Sequence, residues 1–333
     1  MLIQRDTSTL WAWAGALAVV SGLFYIIVQP MVERWGLRQK WWPRALELQR
    51  HVSIAMGTPN PDDEHCLRAW AGGILALMFH GTCGSLMLPV IFYGWEASET
   101  YQDMFLLGSL LDLGWDLFSQ IQVYVATFHG DVADRWGWAR CPRGIFPFIV
   151  MHHMLAYIIV VPMDNKYVHL EDYHQVCLSL LGAAACAMAC NAVKMTLDVT
   201  RRGELVIFKA LLTIESGIML YTRGFHWFRS CYRILCEFRA NGDNAFIYVG
   251  CVAATFMSLF NLMILPHIVG ACLKWLPRKA SDPVDTAALA RTSSIGRRDS
   301  LAHSAKAAAD VGRRMSTHVS RRMSSRFSSI KEE

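Results

Sequence analysis

The sequence predicts an all-α protein, a polytopic bundle of six to seven transmembrane helices followed by a disordered, basic C-terminal tail. Hydrophobic residues make up 53% of the chain and charged residues only 18%, whereas soluble domains carry about 25% charged residues. The charges are also unevenly distributed, because residues 278–333 contain twelve Lys and Arg against six Asp and Glu. The remaining chain is nearly neutral and contains long apolar stretches, which is typical of a membrane bundle.

The positions of the spans follow from the apolar stretches, since a bilayer core about 30 Å thick is crossed by roughly 20 helical residues. The third, fourth and sixth stretches also carry ionisable residues, which are costly in hydrocarbon, so six to seven spans are expected. The predicted spans are residues 10–31, 69–94, 104–128, 144–163, 174–197, 204–222 and 244–273. The predicted organisation is an N-terminal span in 1–31, a basic loop in 32–68, a main bundle in 69–276 and a tail in 277–333.

Two segments between spans combine aromatic and basic residues. The loop 32–68 contains Trp35, Trp41 and Trp42 with several arginines, a composition that favours a position at the membrane–water interface over an ordinary basic loop. Residues 223–239 alternate four arginines with aromatic residues, and we expect a second amphipathic helix at the opposite membrane surface.

The orientation of the bundle follows from the distribution of Lys and Arg among its connections. The N-terminus and the loops near 95–103, 164–173 and 223–243 contain six such residues, whereas 32–68, 129–143 and 198–203 contain eleven. The N-terminus is therefore expected on the lumenal or external side, and the tail in the cytosol.

The ionisable residues inside the predicted spans are the candidates for chemistry. His80, Asp116, His152, His153 and Glu215 fall near the middle of the bilayer, where such groups normally face the bundle interior and pair with one another. A histidine beside a carboxylate is a plausible general acid–base pair. The alternative is that these side chains only connect helices by hydrogen bonds.

Three short motifs resemble the TLC-domain family, which includes ceramide synthases and translocating-chain-associated membrane proteins. They are Leu-Asp-Leu-Gly-Trp-Asp (111–116), Val-Met-His-His-Met-Leu-Ala (150–156) and Leu-Thr-Ile-Glu-Ser (212–216) followed by Arg223. The resemblance covers roughly residues 69–276, and this range includes Asn261 in the last span.

The resemblance implies an endomembrane protein, such as one of the endoplasmic reticulum, that acts in lipid metabolism or lipid homeostasis. If it is an enzyme, the implied reaction is acyl transfer to an amine lipid of the sphingolipid type, with acyl-CoA as co-substrate and no other cofactor. The implied catalytic residues are His152, His153, Asp116 and Glu215. His80, Asp112 and Asn261 are the expected supporting polar residues.

Two functions from other classes remain open. A transporter or channel would use the same polar residues to line a pathway, and a membrane chaperone or trafficking adaptor would use none of them for chemistry. The ten cysteines include no Cys-x-x-Cys pair, and most lie within apolar segments, so we expect reduced thiols and no metal site.

The tail carries three copies of an Arg-Arg-x-Ser pattern, which predicts phosphorylation of Ser300, Ser316 and Ser324 by a basic-directed protein kinase. A basic segment beside the last span is attracted to anionic lipid, and phosphate opposes this attraction. We therefore expect membrane lipids, anionic lipid at the tail and a kinase as partners, and no nucleic acid.

Overall fold

The computed structural model describes residues 3, 6–144 and 146–280, and this part of the chain folds into helices without any β-strand. The predicted phosphorylation sites Ser300, Ser316 and Ser324 lie outside the described residues. The helices are α1 Thr7–Leu37, α2 Trp42–Ala55, α3 Asp63–Tyr93, α4 Glu99–Phe128, α5 Gly130–Arg135, α6 Phe146–Lys166, α7 Glu171–Lys194, α8 Arg202–Met219, α9 Trp227–Ala240 and α10 Asn244–Trp275.

The described chain is all-helical, and five of its helices are long and apolar enough to cross a membrane. These features are consistent with an integral membrane protein. The five helices are Thr7–Leu37, Asp63–Tyr93, Glu171–Lys194, Arg202–Ala240 and Asn244–Trp275. The helices α4 and α6, which correspond to the third and fourth predicted spans, are not among these five. They have 30 and 21 residues, and even the shorter is about 31 Å long at 1.5 Å per residue.

One continuous helix, Arg202–Ala240, joins the predicted sixth span to the arginine-rich segment that follows it. A π-helical turn, Leu220–His226, connects α8 to α9. The α9 helix buries Trp227, Ile234 and Phe238 on one side, so the segment is amphipathic as expected. It is, however, a continuation of α8 that packs against α7 and α10 rather than a separate surface helix.

Small residues allow the central helices to approach closely. The most extensive helix–helix contacts in the bundle are those of α3 with α4 and α7, and of α1 with α4. A Cβ atom on Gly114 of α4 would lie 2.8 Å from the Leu17 backbone of α1, and one on Gly108 would lie 2.8 Å from the Cys83 carbonyl oxygen of α3. Backbone packing of this kind is the usual way in which membrane helices associate.

The connections between helices form two sets, one at each end of the bundle. At one end the Ile3 N–H donates to Asp103, and Lys166 pairs with Asp243. At the other end Arg44 pairs with Asp198. The connections predicted to share a side of the membrane therefore contact one another.

The tryptophans of the 32–68 loop form an aromatic cluster around Trp70 of α3. The Trp70 ring stacks on Trp35 at 6.0 Å and packs against Trp41 and Trp42 at 5.8 and 5.3 Å. This cluster attaches α2 to the end of the bundle and buries Trp42.

Candidate functional site

The polar face of α4 is the framework of the candidate site. Asp112, Asp116 and Gln120 follow one another at intervals of four residues, which places them on one side of the helix. Asp116 and Gln120 meet His153 of α6, while Asp112 meets His80 of α3. The structure therefore brings together four of the predicted site residues, from three helices.

Both ring nitrogens of His153 have partners on α4. Nδ1 lies 3.1 Å from Gln120 Oε1, and Nε2 lies 3.5 Å from Asp116 Oδ1. His153 and Asp116 are only 8% and 5% exposed. The Tyr157 hydroxyl also donates to the Asp116 backbone carbonyl at 2.8 Å. These bonds fix α6 against α4 and hold the imidazole in one orientation.

His153 is held by two groups on α4. Its Nδ1 either donates to the Gln120 carbonyl oxygen or, in the other tautomer, accepts from the Gln120 amide. Its Nε2 lies at an ion-pair distance of 3.5 Å from the Asp116 carboxyl. Both ring nitrogens of His153 therefore face partners within the protein.

His152, the neighbouring residue, is not occupied in this way. Its Nδ1 is buried and forms no hydrogen bond within the described part of the chain. The ring stacks on Phe260 of α10 at 5.7 Å. His80, Asp112 and Arg223 are all close enough to His152 to interact with it electrostatically. His80 Nδ1 and Asp112 Oδ1 lie 3.3 Å apart without forming a hydrogen bond.

An apolar groove lies beside His152, between α6 and α10. It has a volume of about 170 Å³ and is lined by His152 with Met151 and Leu155 on α6 and Phe256 and Phe260 on α10. Met151 and Phe256 are also exposed on the outside of the bundle, so the groove opens laterally, where lipid would lie around a membrane protein. Apart from His152, the residues that line the groove are apolar.

Glu215, predicted to act with the histidines, is placed in a different set of contacts. Its carboxylate forms an ion pair with Lys194 of α7 and accepts a hydrogen bond from Asn191 Nδ2 at 3.4 Å. This pair connects α8 to α7, whereas His153 contacts α4 and His152 stacks on Phe260 of α10. The geometry gives Glu215 a helix-connecting contact, and its catalytic role stays a prediction.

Arg223 and Asn261 are buried polar residues that the structure places near the histidines. Arg223 is 7% exposed and donates through Nη2 to the Leu180 carbonyl at 3.0 Å. Among the described residues, its Nε and Nη1 have no hydrogen-bond partner, nor does either amide atom of Asn261, which is 0% exposed. The sequence analysis placed Arg223 in the family resemblance and in the amphipathic segment 223–239, and it did not predict that this arginine is buried.

A second buried carboxylate, Asp164 at the end of α6, was missed by sequence reasoning. It is fully buried and accepts hydrogen bonds from Ser109 Oγ at 2.8 Å and the Tyr173 hydroxyl at 2.9 Å. No sequence pattern indicates this cluster, because Asp164 directly follows an apolar run and is expected to be the first residue of a loop.

The end of the bundle that contains α2 holds a larger, mixed-charge cleft. Its volume is about 710 Å³, and it is lined by residues of 40–48 and 196–204. Asp198 joins the two segments, since it accepts bonds from Thr200 Oγ1 at 2.6 Å and from Arg44 at 2.9 Å. The Thr200 hydroxyl, more than the Arg44 charge, lowers the pKa of Asp198. The acidic and basic groups that line the cleft largely neutralise one another, so the cleft is a weaker candidate site.

Within residues 3, 6–144 and 146–280, no group of three or more His, Cys, Asp or Glu side chains is arranged to bind a metal ion. Comparison of the chain with protein-family models, curated proteins and solved structures gives no match.

Proposed function

We propose that this chain is an integral membrane protein of lipid metabolism that transfers an acyl group to an amine lipid, with His152 as the proton acceptor. The observation that carries the proposal is the difference between the two adjacent histidines. His153 is held by Asp116 and Gln120, whereas His152 keeps an unpartnered ring nitrogen beside an apolar groove. This is the arrangement that a base serving an amphiphilic substrate requires.

The proposed reaction assigns separate roles to the polar residues. The substrate amine attacks the carbonyl of an acyl-CoA thioester, and His152 accepts the amine proton as the C–N bond forms. The C–S bond then breaks, and the departing thiolate takes a proton back from His152. Asp112, within electrostatic range of His152, would stabilise the transient imidazolium. His153 and Asp116 would position α6 against α4.

The proposal includes a topology of seven spans, with the N-terminus in the lumen of the endoplasmic reticulum or another endomembrane compartment and the tail in the cytosol. The lengths of α4 and α6 support it, since both can cross a 30 Å core. The excess of basic residues in 32–68, 129–143 and 198–203 supports the orientation. Cysteine labelling from each side at Asn165→Cys and Ser294→Cys, in a background without native cysteines, tests it. Labelling of both positions from the same side would contradict this topology.

The test of the reaction uses the full chain reconstituted with a long-chain amine base and acyl-CoA. We expect amide product from the wild type and a loss of at least about 100-fold in rate for His152→Ala, because a positioned general base contributes about 10²–10⁴-fold. The matched control is His129→Ala, an exposed histidine at the end of α4, which should keep the wild-type rate.

Other results would favour the alternative functions. Solute flux that depends on His152, without any product, would indicate a transporter or channel. If His152→Ala preserves every cellular function of the protein, a chaperone or adaptor role is indicated and the proposed chemistry is wrong.

A further inference from the structure

Arg223 is the most unusual charged residue in the bundle. It lies in the π-helical turn Leu220–His226, whereas the arginines that follow it in the same long helix are exposed, namely Arg229, Arg233 and Arg239. Within the described chain, two of its three guanidinium nitrogens are unpartnered. A buried cation without a counter-charge costs several kcal/mol, and π-helical turns are frequent at functional sites.

Asn261 faces this π turn from α10. Ser258 accepts a hydrogen bond from Trp227 Nε1 at 3.0 Å, and Leu265 lies 3.8 Å from the position of a Cβ on Gly224. Asn261 is one turn from both residues on the same helix, so it shares their face. Its amide therefore adds an unpartnered donor on the helix face that packs against the turn carrying Arg223.

The groups around Arg223 and Asn261 indicate which ligand would accept hydrogen bonds from their unpartnered donors. A guanidinium and an amide N–H are donors that match the oxygen atoms of a phosphate or a carboxylate. His152, which interacts electrostatically with Arg223, also lines the apolar groove between α6 and α10. An anionic group and an alkyl chain on one molecule would therefore satisfy both features.

We infer that Arg223 and Asn261 form a binding site for the phosphate or carboxylate head group of an amphiphile whose chain occupies the α6–α10 groove. The inference deepens the proposed function and rests on it: the amine lipid would carry an anionic group in its head, and that head would lie next to His152. Arg223 is a binding residue in this assignment, and the proton transfer stays with His152.

The experiment measures binding of four probes to the full chain, purified in a neutral detergent, by thermal shift and intrinsic fluorescence. Dodecyl phosphate and dodecanoate are the anionic amphiphiles, dodecanol is the neutral one, and inorganic phosphate is the free anion. We expect both anionic amphiphiles to bind at least about tenfold more tightly than dodecanol. Inorganic phosphate should bind more weakly than dodecyl phosphate, because it lacks the chain. Equal binding of the anionic and neutral amphiphiles would overturn the inference, and so would inorganic phosphate binding as tightly as dodecyl phosphate.

The variants locate the site. Arg223→Gln should bind dodecyl phosphate about 10- to 100-fold more weakly, since hydrogen bonds to charged groups contribute about 1.5–3 kcal/mol. Arg223→Lys should lose less, and Arg229→Gln, which removes an exposed arginine of the same helix, should bind like the wild type. Undiminished binding by Arg223→Gln would refute the site. If that variant does not fold, the wild-type preference among the four probes decides.

The outcome for the site is separable from the outcome for the proposed function. Amide formation and dodecyl phosphate binding are measured separately on the same wild-type protein. Anion-selective binding without any amide product contradicts the acyl transfer alone, whereas product formation without anion selectivity contradicts the Arg223 site alone.

Discussion

The ion pair between Lys194 and Glu215 provides the sharpest test of the helix arrangement. Lys194 ends α7, and Glu215 lies inside α8, so the pair connects two neighbouring helices. The change to make is a double-mutant cycle with Lys194→Met, Glu215→Leu and the combination of both. The cycle separates the contact between the two charges from the cost of leaving either charge alone.

The expected magnitude follows from the burial of the pair. The Lys194 and Glu215 side chains are only 10% and 13% exposed, so solvent screens them little. Removing one partner from a buried pair costs about 3–5 kcal/mol, while replacing both with apolar residues is often neutral or stabilising. At about 2 °C per kcal/mol for a protein of this size, each single variant should lose at least about 6 °C in Tm. The double variant should recover most of that loss.

The assay is thermal unfolding in detergent, followed by the fluorescence of the chain's 12 tryptophans. The charge-reversed variant Lys194→Glu/Glu215→Lys is the matched control, because it restores the pair in the opposite direction. A double variant as unstable as the singles would refute the pairing. An unchanged Tm for Glu215→Leu would instead return Glu215 to the list of residues free to act in catalysis.

Three further changes test other parts of the structure. Gly114→Ala should lower the free energy of unfolding by about 1–3 kcal/mol, because its Cβ would meet the α1 backbone at 2.8 Å. The control Gly73→Ala has open space around it and should not change the stability. Equal Tm losses in the two variants would contradict the close α1–α4 packing. Tyr173→Phe should cost about 1–3 kcal/mol by leaving the buried Asp164 carboxyl short of a donor, whereas an unchanged Tm would show that this bond is absent. The pKa of Asp198 is lowered. The contribution of this carboxylate to stability should therefore be complete above the ordinary Asp pKa of about 3.9 and should be lost as the pH falls through the lowered pKa. Asp198→Asn should remove this part of the dependence of Tm on pH.

The sequence predicted most of the helices because apolar length alone specifies a membrane helix. Its seven predicted spans each overlap a long helix, and Asp112 and Asp116 both lie in the third predicted span, which corresponds to α4. The partners of these residues were harder to predict. The approach of His153 to Asp116 depends on α6 lying beside α4, and the periodicity of each helix contains no information about its neighbours.

The contacts of Glu215 and Arg223 were also not predictable from the sequence of their own helices. Glu215 was expected to approach the histidines, but α8 packs against α7, where Lys194 is the nearest opposite charge. Arg223 was grouped with three exposed arginines in a surface segment. The π turn continues α8 into α9 and buries only that arginine. No sequence pattern in these segments shows which helix packs against α8 or where a single π-helical turn occurs.

The buried polar groups of the bundle divide into two kinds, and the division itself bears on function. Glu215, Asp164 and His153 are each paired with a neighbouring helix, which is what structural polar groups in hydrocarbon require. His152, Arg223 and Asn261 instead have buried polar atoms without a hydrogen bond in the described chain. Arg223 lies within electrostatic range of His152, and Asn261 follows Phe260, on which the His152 ring stacks. Structural polar groups in hydrocarbon are normally paired, so we propose that a ligand supplies the missing partners of these three residues.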